Sequence, residues 1–170
     1  IVIPLNDMHH DLEKILGTIN ERTRIIFMDN PNNPCGTLIT KERFDEFLRQ
    51  VPEYVVVVLD EAYVDFVVPE QRIDVLSYIR NADEIAPVIS LRTFSKAFGL
   101  AGLRVGFGLM HKDVASLMHR VRQPFNINLL GQVGATAALA DKDHYNKTIS
   151  ETTRGKLWVG KEVEQLGCRA

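Results

Sequence analysis

Lys96 closes the run Thr93-Phe94-Ser95-Lys96, and Arg104 follows eight residues later. A primary amine can condense with an aldehyde. Two hydroxyls and a guanidinium fork can hold a phosphate, so Thr93, Ser95 and Arg104 form a candidate anion site around the lysine. Asp60 opens the segment Asp60-Glu61-Ala62-Tyr63, and a carboxylate there can keep an aromatic ring nitrogen protonated. Tyr63 and Asn33, the latter within Asn30-Pro31-Asn32-Asn33-Pro34-Cys35-Gly36-Thr37, are neutral donors suited to a phenolate oxygen. Taken singly, each group has an ordinary structural reading. Asn-Pro segments make turns, a strand-terminal Asp caps or meets solvent, and a lone Lys is surface. The case for chemistry rests on their arrival at one edge.

That edge follows from the hydrophobic pattern. Apolar runs at 25–28, 55–59, 88–91 and 105–110 read as strands. Helical periodicity appears at 11–19, where Leu12, Ile15, Leu16 and Ile19 share a face. It recurs at 41–49, with Thr40 as cap and Phe44, Phe47 and Leu48 facing inward, and at 74–80. Three further helices are predicted at 113–121, 128–140 and 145–166, the first two separated at Pro124. Continuously apolar strands alternating with helices predict a three-layer α/β/α fold with a mostly parallel sheet. Ligands of such sheets sit beyond the carboxyl ends of the strands. The segments bearing Asn33, Asp60 and Thr93 to Lys96 fall there.

A ligand with an aldehyde, a phosphate, a pyridine nitrogen and a phenolate oxygen would use every one of these groups. Pyridoxal 5'-phosphate carries all four. The chain also resembles the fold-type I pyridoxal-phosphate aminotransferases, most of all their histidinol-phosphate branch. The Asn30-to-Thr37 segment is similar to the family's N-P-N-N-P-T-G-T, with Cys35 where the family usually has Thr. Asp60-Glu61-Ala62-Tyr63 matches D-E-A-Y. Leu91-Arg92-Thr93-Phe94-Ser95-Lys96-Ala97-Phe98-Gly99-Leu100-Ala101-Gly102-Leu103-Arg104-Val105-Gly106 matches the family's lysine segment, and Arg122-Gln123-Pro124-Phe125-Asn126-Ile127-Asn128 resembles a stretch of the same branch. The lysine segment is the most specific of these, and D-E-A-Y alone is weak.

The resemblance implies roles residue by residue. Lys96 would hold the cofactor's aldehyde carbon and later carry the proton between the substrate's Cα and the cofactor's C4′. Asp60 would keep the pyridine nitrogen charged, and Asn33 and Tyr63 would bind the ring oxygen. Thr93, Ser95 and Arg104 would bind the phosphate. Lys96, Asp60 and Tyr63 are thus the catalytic candidates, and Gly99, Gly102 and Gly106 would let the backbone approach closely. The resemblance further implies a cytoplasmic homodimer acting on a small amino donor and a 2-oxo acid. Residues 1–141 would be part of the cofactor-binding large domain, and 142–170 a long helix leading to a small C-terminal domain. An earlier glycine-containing loop, a ring-stacking aromatic and a substrate-binding Arg belong to the family pattern outside these residues. Ile1 in place of Met reads as a piece of a longer chain, expected to be inactive alone. Threonine-phosphate decarboxylases, aromatic aminotransferases and aminotransferase-like domains of transcription regulators share the cofactor motifs and remain alternatives.

Composition narrows the remaining classes. The 170 residues are 45% hydrophobic and 25% charged, enough apolar surface to build a core and exclude general disorder. Lys and Arg total 20 against 22 Asp and Glu, without the basic excess of a nucleic-acid binder. Two cysteines, Cys35 and Cys168, make no disulfide scaffold. The longest apolar run is too short to span a bilayer, and the first residues lack the charged start of a secretion signal. His9 and His10 read as a solvated helix start rather than a metal site, and His111, His119 and His144 as surface. Trp158 reads as a packing or interface residue.

Overall fold

Why the chain folds as it does is clearest at strand β1 (Ile25–Asp29), whose residues alternate between buried and exposed. The computed structural model describes residues 1–80 and 85–168. These form two compact units, one of Ile1–Thr93 with Gly106–Asn126, the other of Phe94–Val105 with Ile127–Ala170. Arg169 and Ala170, the end of the stretch expected to be helical, lie outside the described residues.

The first unit is built on a four-stranded sheet in the order β1, β2 (Val56–Asp60), β3 (Val88–Thr93), β4 (Gly106–Leu109). The first two pairings are parallel and the last antiparallel, so the expected mostly parallel sheet is present. Ile26, Met28, Val57, Leu59 and Val88 supply the sheet's side of the core. Against them pack Leu12 and Ile15 of α1 (Leu12–Thr18), Phe44, Phe47 and Leu48 of α2 (Lys41–Leu48), and Val75 and Tyr78 of α3 (Val75–Arg80). Each such side chain contributes about 1.5–3 kcal/mol by leaving water. The starts of α1 and α2 are fixed by side-chain caps, that of α2 by Thr40 as expected. Asp11 accepts from the Lys14 amide and Thr40 from the Arg43 amide. A fourth helix, α4 (Lys112–Val121), follows β4.

Side chains alternate along a strand, and the register pairs Asp29 with Asp60 and Asp60 with Leu91. Asp29, Asp60, Leu91 and Thr93 therefore share the face opposite the helical core. Ser90 and Arg92 share the core face. Thr93 pairs with Gly106 across the antiparallel ladder. A Cβ on Gly106 would stand 2.6 Å from the Arg92 carbonyl oxygen, so the two strands meet this closely only with glycine there.

The second unit joins the Phe94–Val105 loop to α5 (Leu129–Ala140) and α6 (Lys142–Gln165). Phe94, Val105 and Ala135 form its buried centre, with Phe98, Leu100, Leu103, Ile127 and Ala138 around them. Asn128 caps α5 by accepting from the Gly131 amide at 2.7 Å and donates to the Leu103 carbonyl at 2.9 Å. One side chain thus starts the helix and ties it to the loop. Helix α6 begins three residues before the predicted start because Asp141 accepts from the His144 amide. Trp158 on α6 is 63% exposed. The short 3₁₀ turns Val64–Phe66, Pro69–Gln71 and Ala101–Leu103 carry no periodicity of their own and were not anticipated.

Candidate active site

Asn33 is delivered by a loop that is tied down at almost every residue. Asn30 is buried and bonds Ile39 in both directions, accepting from its amide at 2.8 Å and donating to its carbonyl at 3.3 Å. The Asn32 carbonyl accepts from the Gly36 amide, and the Asn32 amide donates to Thr37. Cys35, in the family's Thr position, is half-buried and donates its amide to the Asn32 side chain at 3.3 Å. Asp29 at the end of β1 accepts from the Asn32 side chain through Oδ1 and from the Asn33 amide through Oδ2, both at 2.8 Å. Partial burial pushes the Asp29 carboxyl up. The bonds from Asn33, Asn32 and His10 outweigh it and hold the group below its ordinary value. The Asn33 side chain is exposed, and its Nδ2 donates to the Tyr63 hydroxyl at 3.4 Å. The two residues expected to share a ring oxygen are therefore in contact.

Asp60 is the exposed last residue of β2, and its Oδ1 accepts from the Ala62 amide at 2.9 Å. The ends of β1, β2 and β3 stay joined past the ladder, through Asn30 N–H to the Asp60 carbonyl and Glu61 N–H to the Leu91 carbonyl, both 2.9 Å. Beneath this edge lies Glu61, 1% exposed. Its Oε2 accepts from the Ser90 hydroxyl and from Arg92 at 3.0 Å, while Oε1 has no partner among the described residues. Burial pushes the Glu61 carboxyl up against the pull of Ser90 and Arg92. Asn33, Asp60, Tyr63 and Thr93 thus stand together on the carboxyl edge of the first unit's sheet, as expected.

Ser95, Lys96 and Arg104 lie on the loop of the second unit. Phe94 and Ala97 are buried anchors on either side of half-buried Ser95 and exposed Lys96. The Lys96 carbonyl accepts from Gly99, whose φ of +71° demands glycine. Phe98 packs on Phe94 and on Tyr145, with ring centroids 4.9 and 5.2 Å apart. Arg104 has a φ of 53°, a left-handed conformation costing a non-glycine residue about 1–2 kcal/mol, and its guanidinium donates to the Ala101 carbonyl at 2.9 Å.

Two residues of this network were not anticipated. His10, expected to be solvated, is half-buried and paired with Asp29 at 2.8 Å. Glu61, read only as part of a motif, is the most enclosed carboxylate among the described residues. A polar residue ending an apolar run was the only sequence signal for Asp29. Nothing near His10 in the chain announced a partner 19 residues away.

Comparison with known proteins gives a consistent result. The sequence profile of the family Aminotransferase class I and II matches residues 1–163. The histidinol-phosphate aminotransferase of Desulfotalea psychrophila is 55% identical over 167 residues, covering 98% of this chain and 44% of that protein. That of Moorella thermoacetica is 46% identical over 169 residues, covering 99% and 43%. The crystal structure of histidinol-phosphate aminotransferase from Sinorhizobium meliloti, in complex with pyridoxal-5'-phosphate, superposes with a TM-score of 0.90 at 31% identity, over 99% of this chain and 45% of that one. L-threonine-O-3-phosphate decarboxylase from Porphyromonas gingivalis, at 22% identity and a TM-score of 0.69 over 86% of this chain and 43% of its own, shares the fold. This chain spans less than half the length of the curated relatives it matches.

Proposed function

Since the chain belongs to the class I and II aminotransferases, we propose that it is the cofactor-holding part of a histidinol-phosphate aminotransferase. The reaction is histidinol phosphate with 2-oxoglutarate to imidazole-acetol phosphate and glutamate. The observation that carries this reading is the 55% identity to a curated histidinol-phosphate aminotransferase across 98% of the chain. The relative bound to pyridoxal-5'-phosphate supports the choice of cofactor. So does the chemistry of the donor set: a carboxylate, a phenol, an amide and a hydroxyl on one sheet edge, and a hydroxyl, an amine and a guanidinium on one loop.

When bound, pyridoxal phosphate supplies an electron sink for breaking a bond at the substrate's α-carbon. Lys96 Nζ would hold the aldehyde carbon and would move a proton at the substrate's Cα. Asp60 would keep the ring nitrogen charged, which would favour negative charge on the ring. Asn33 and Tyr63 donate to the ring oxygen and set how tightly the proton beside it is held. Thr93, Ser95 and Arg104 bind the phosphate dianion and fix the ring's position. Among the described residues no helix is long and apolar enough to cross a membrane. The reading makes the whole enzyme a cytoplasmic homodimer acting on small molecules, with no nucleic-acid or membrane partner.

Substrate choice is tested with a whole enzyme of the relatives' length that carries this chain. Histidinol phosphate, threonine phosphate and phenylalanine are offered separately. Transamination of histidinol phosphate with kcat/KM at least about tenfold above that of phenylalanine, a gap of about 1.4 kcal/mol, is the expected outcome. Release of carbon dioxide from threonine phosphate as the main reaction would instead make the protein a decarboxylase.

A further inference from the structure

We propose that Asp29, steadied by His10, is a positioning residue for Asn33, so that the reach of Asn33 toward the cofactor's ring oxygen is set from the end of β1. The inference rests on the reading of Asn33 as a donor to that oxygen.

The contacts form an unbroken line within the first unit. His10 Nε2 stands 2.8 Å from Asp29 Oδ1 and 3.0 Å from the Asp29 carbonyl oxygen. Both partners can only accept, so Nε2 carries the hydrogen and donates to both. This fixes the carboxylate plane from outside the loop. Asp29 Oδ1 also accepts from Asn32 Nδ2, and Oδ2 accepts from the Asn33 amide, each at 2.8 Å. The backbone nitrogen of Asn33 is one bond from the Cα that carries its side chain, and that side chain ends 3.4 Å from the Tyr63 hydroxyl. A carboxylate that accepts charge-assisted bonds at both oxygens is a stiffer anchor than a neutral acceptor. Asp29 is also the sole polar residue of β1, so the strand's packing does not account for it.

The experiment uses the whole holoprotein and follows the visible absorption of bound pyridoxal phosphate against pH. A ring oxygen that loses a donor holds the neighbouring proton more tightly, so the midpoint of the spectral change rises. Asn33→Ala is expected to raise it by about half a unit or more, and Asp29→Ala to raise it in the same direction. Asp29→Asn, which keeps one carbonyl oxygen for the Asn33 amide, is expected to restore most of the native midpoint. In an Asn33→Ala background, Asp29→Ala is expected to add nothing. If Asn33→Ala moves the midpoint and Asp29→Ala does not, or if their shifts simply add, Asp29 does not act through Asn33 and the inference is overturned. If neither moves it, Asn33 does not meet the ring oxygen, and the reading of Asn33 as its donor falls with the inference. Should Asp29→Ala fail to fold, His10→Ala leaves the carboxylate in place. A smaller rise is then expected, and an unchanged midpoint counts against the proposal.

Discussion

Asp29 and Glu61 stand at the ends of neighbouring strands and respond to pH with opposite signs. Asp29 is held below its ordinary value because its bonds to Asn33, Asn32 and His10 outweigh burial. A lowered folded-state value contributes stability above the unfolded value, and that stability is lost as pH falls through it. The neutral variant Asp29→Asn should therefore be less stable than the native chain at pH 7. The gap should begin to narrow as pH falls through about 4, where the unfolded carboxyl takes up its proton, and close only once the pH is below the lowered folded-state value. Urea unfolding at a series of pH values measures this, and a gap that persists unchanged at pH 3 would show that shape rather than charge is at work. Glu61 is raised by burial, so its contribution is complete at low pH and falls as pH rises. The candidates Lys96, Asp60 and Tyr63 could be nominated from the chain because each stands in a short motif at a strand end. His10 and the Ser90–Glu61–Arg92 cluster could not, since their partners are fixed by the fold.

At the scale of elements, packing decides. Phe44 is 0% exposed and meets Phe47 and Tyr78 at ring-centroid distances of 6.4 and 5.5 Å. Phe44→Ala should cost about 3–5 kcal/mol, measured by urea unfolding. Gly106→Ala sets a methyl 2.6 Å from the Arg92 carbonyl and should cost about 1–3 kcal/mol by forcing β3 and β4 apart. A Gly106→Ala protein as stable as the native one would mean that the ladder beside Thr93 is not tight. Helix α2 was legible with its cap, because Thr40 stands directly before apolar periodicity, whereas α1 and α5 were legible by their apolar faces and their caps Asp11 and Asn128 emerged only in the structure. The four strands were legible as apolar runs, but the antiparallel direction of β4 was not. The run itself is apolar either way, and direction is set by the returning loop.

At the scale of the molecule, the candidate residues fall in two compact units. Asn33, Asp60, Tyr63 and Thr93 belong to one, and Ser95, Lys96 and Arg104 to the other. The α/β class and the candidate edge were readable because ligands of parallel sheets gather at carboxyl ends. Substrate choice was not readable at this scale, since the Porphyromonas gingivalis decarboxylase shares the fold. The central claim is that Lys96 is the residue that holds the cofactor. Borohydride reduction of the holoprotein covalently fixes pyridoxal phosphate to the lysine that bears it, and peptide mass spectrometry then locates that lysine. The account predicts label concentrated on Lys96, and its loss in Lys96→Ala without transfer to another lysine. Label on a different residue, or spread over the surface lysines of the whole holoprotein, would contradict it.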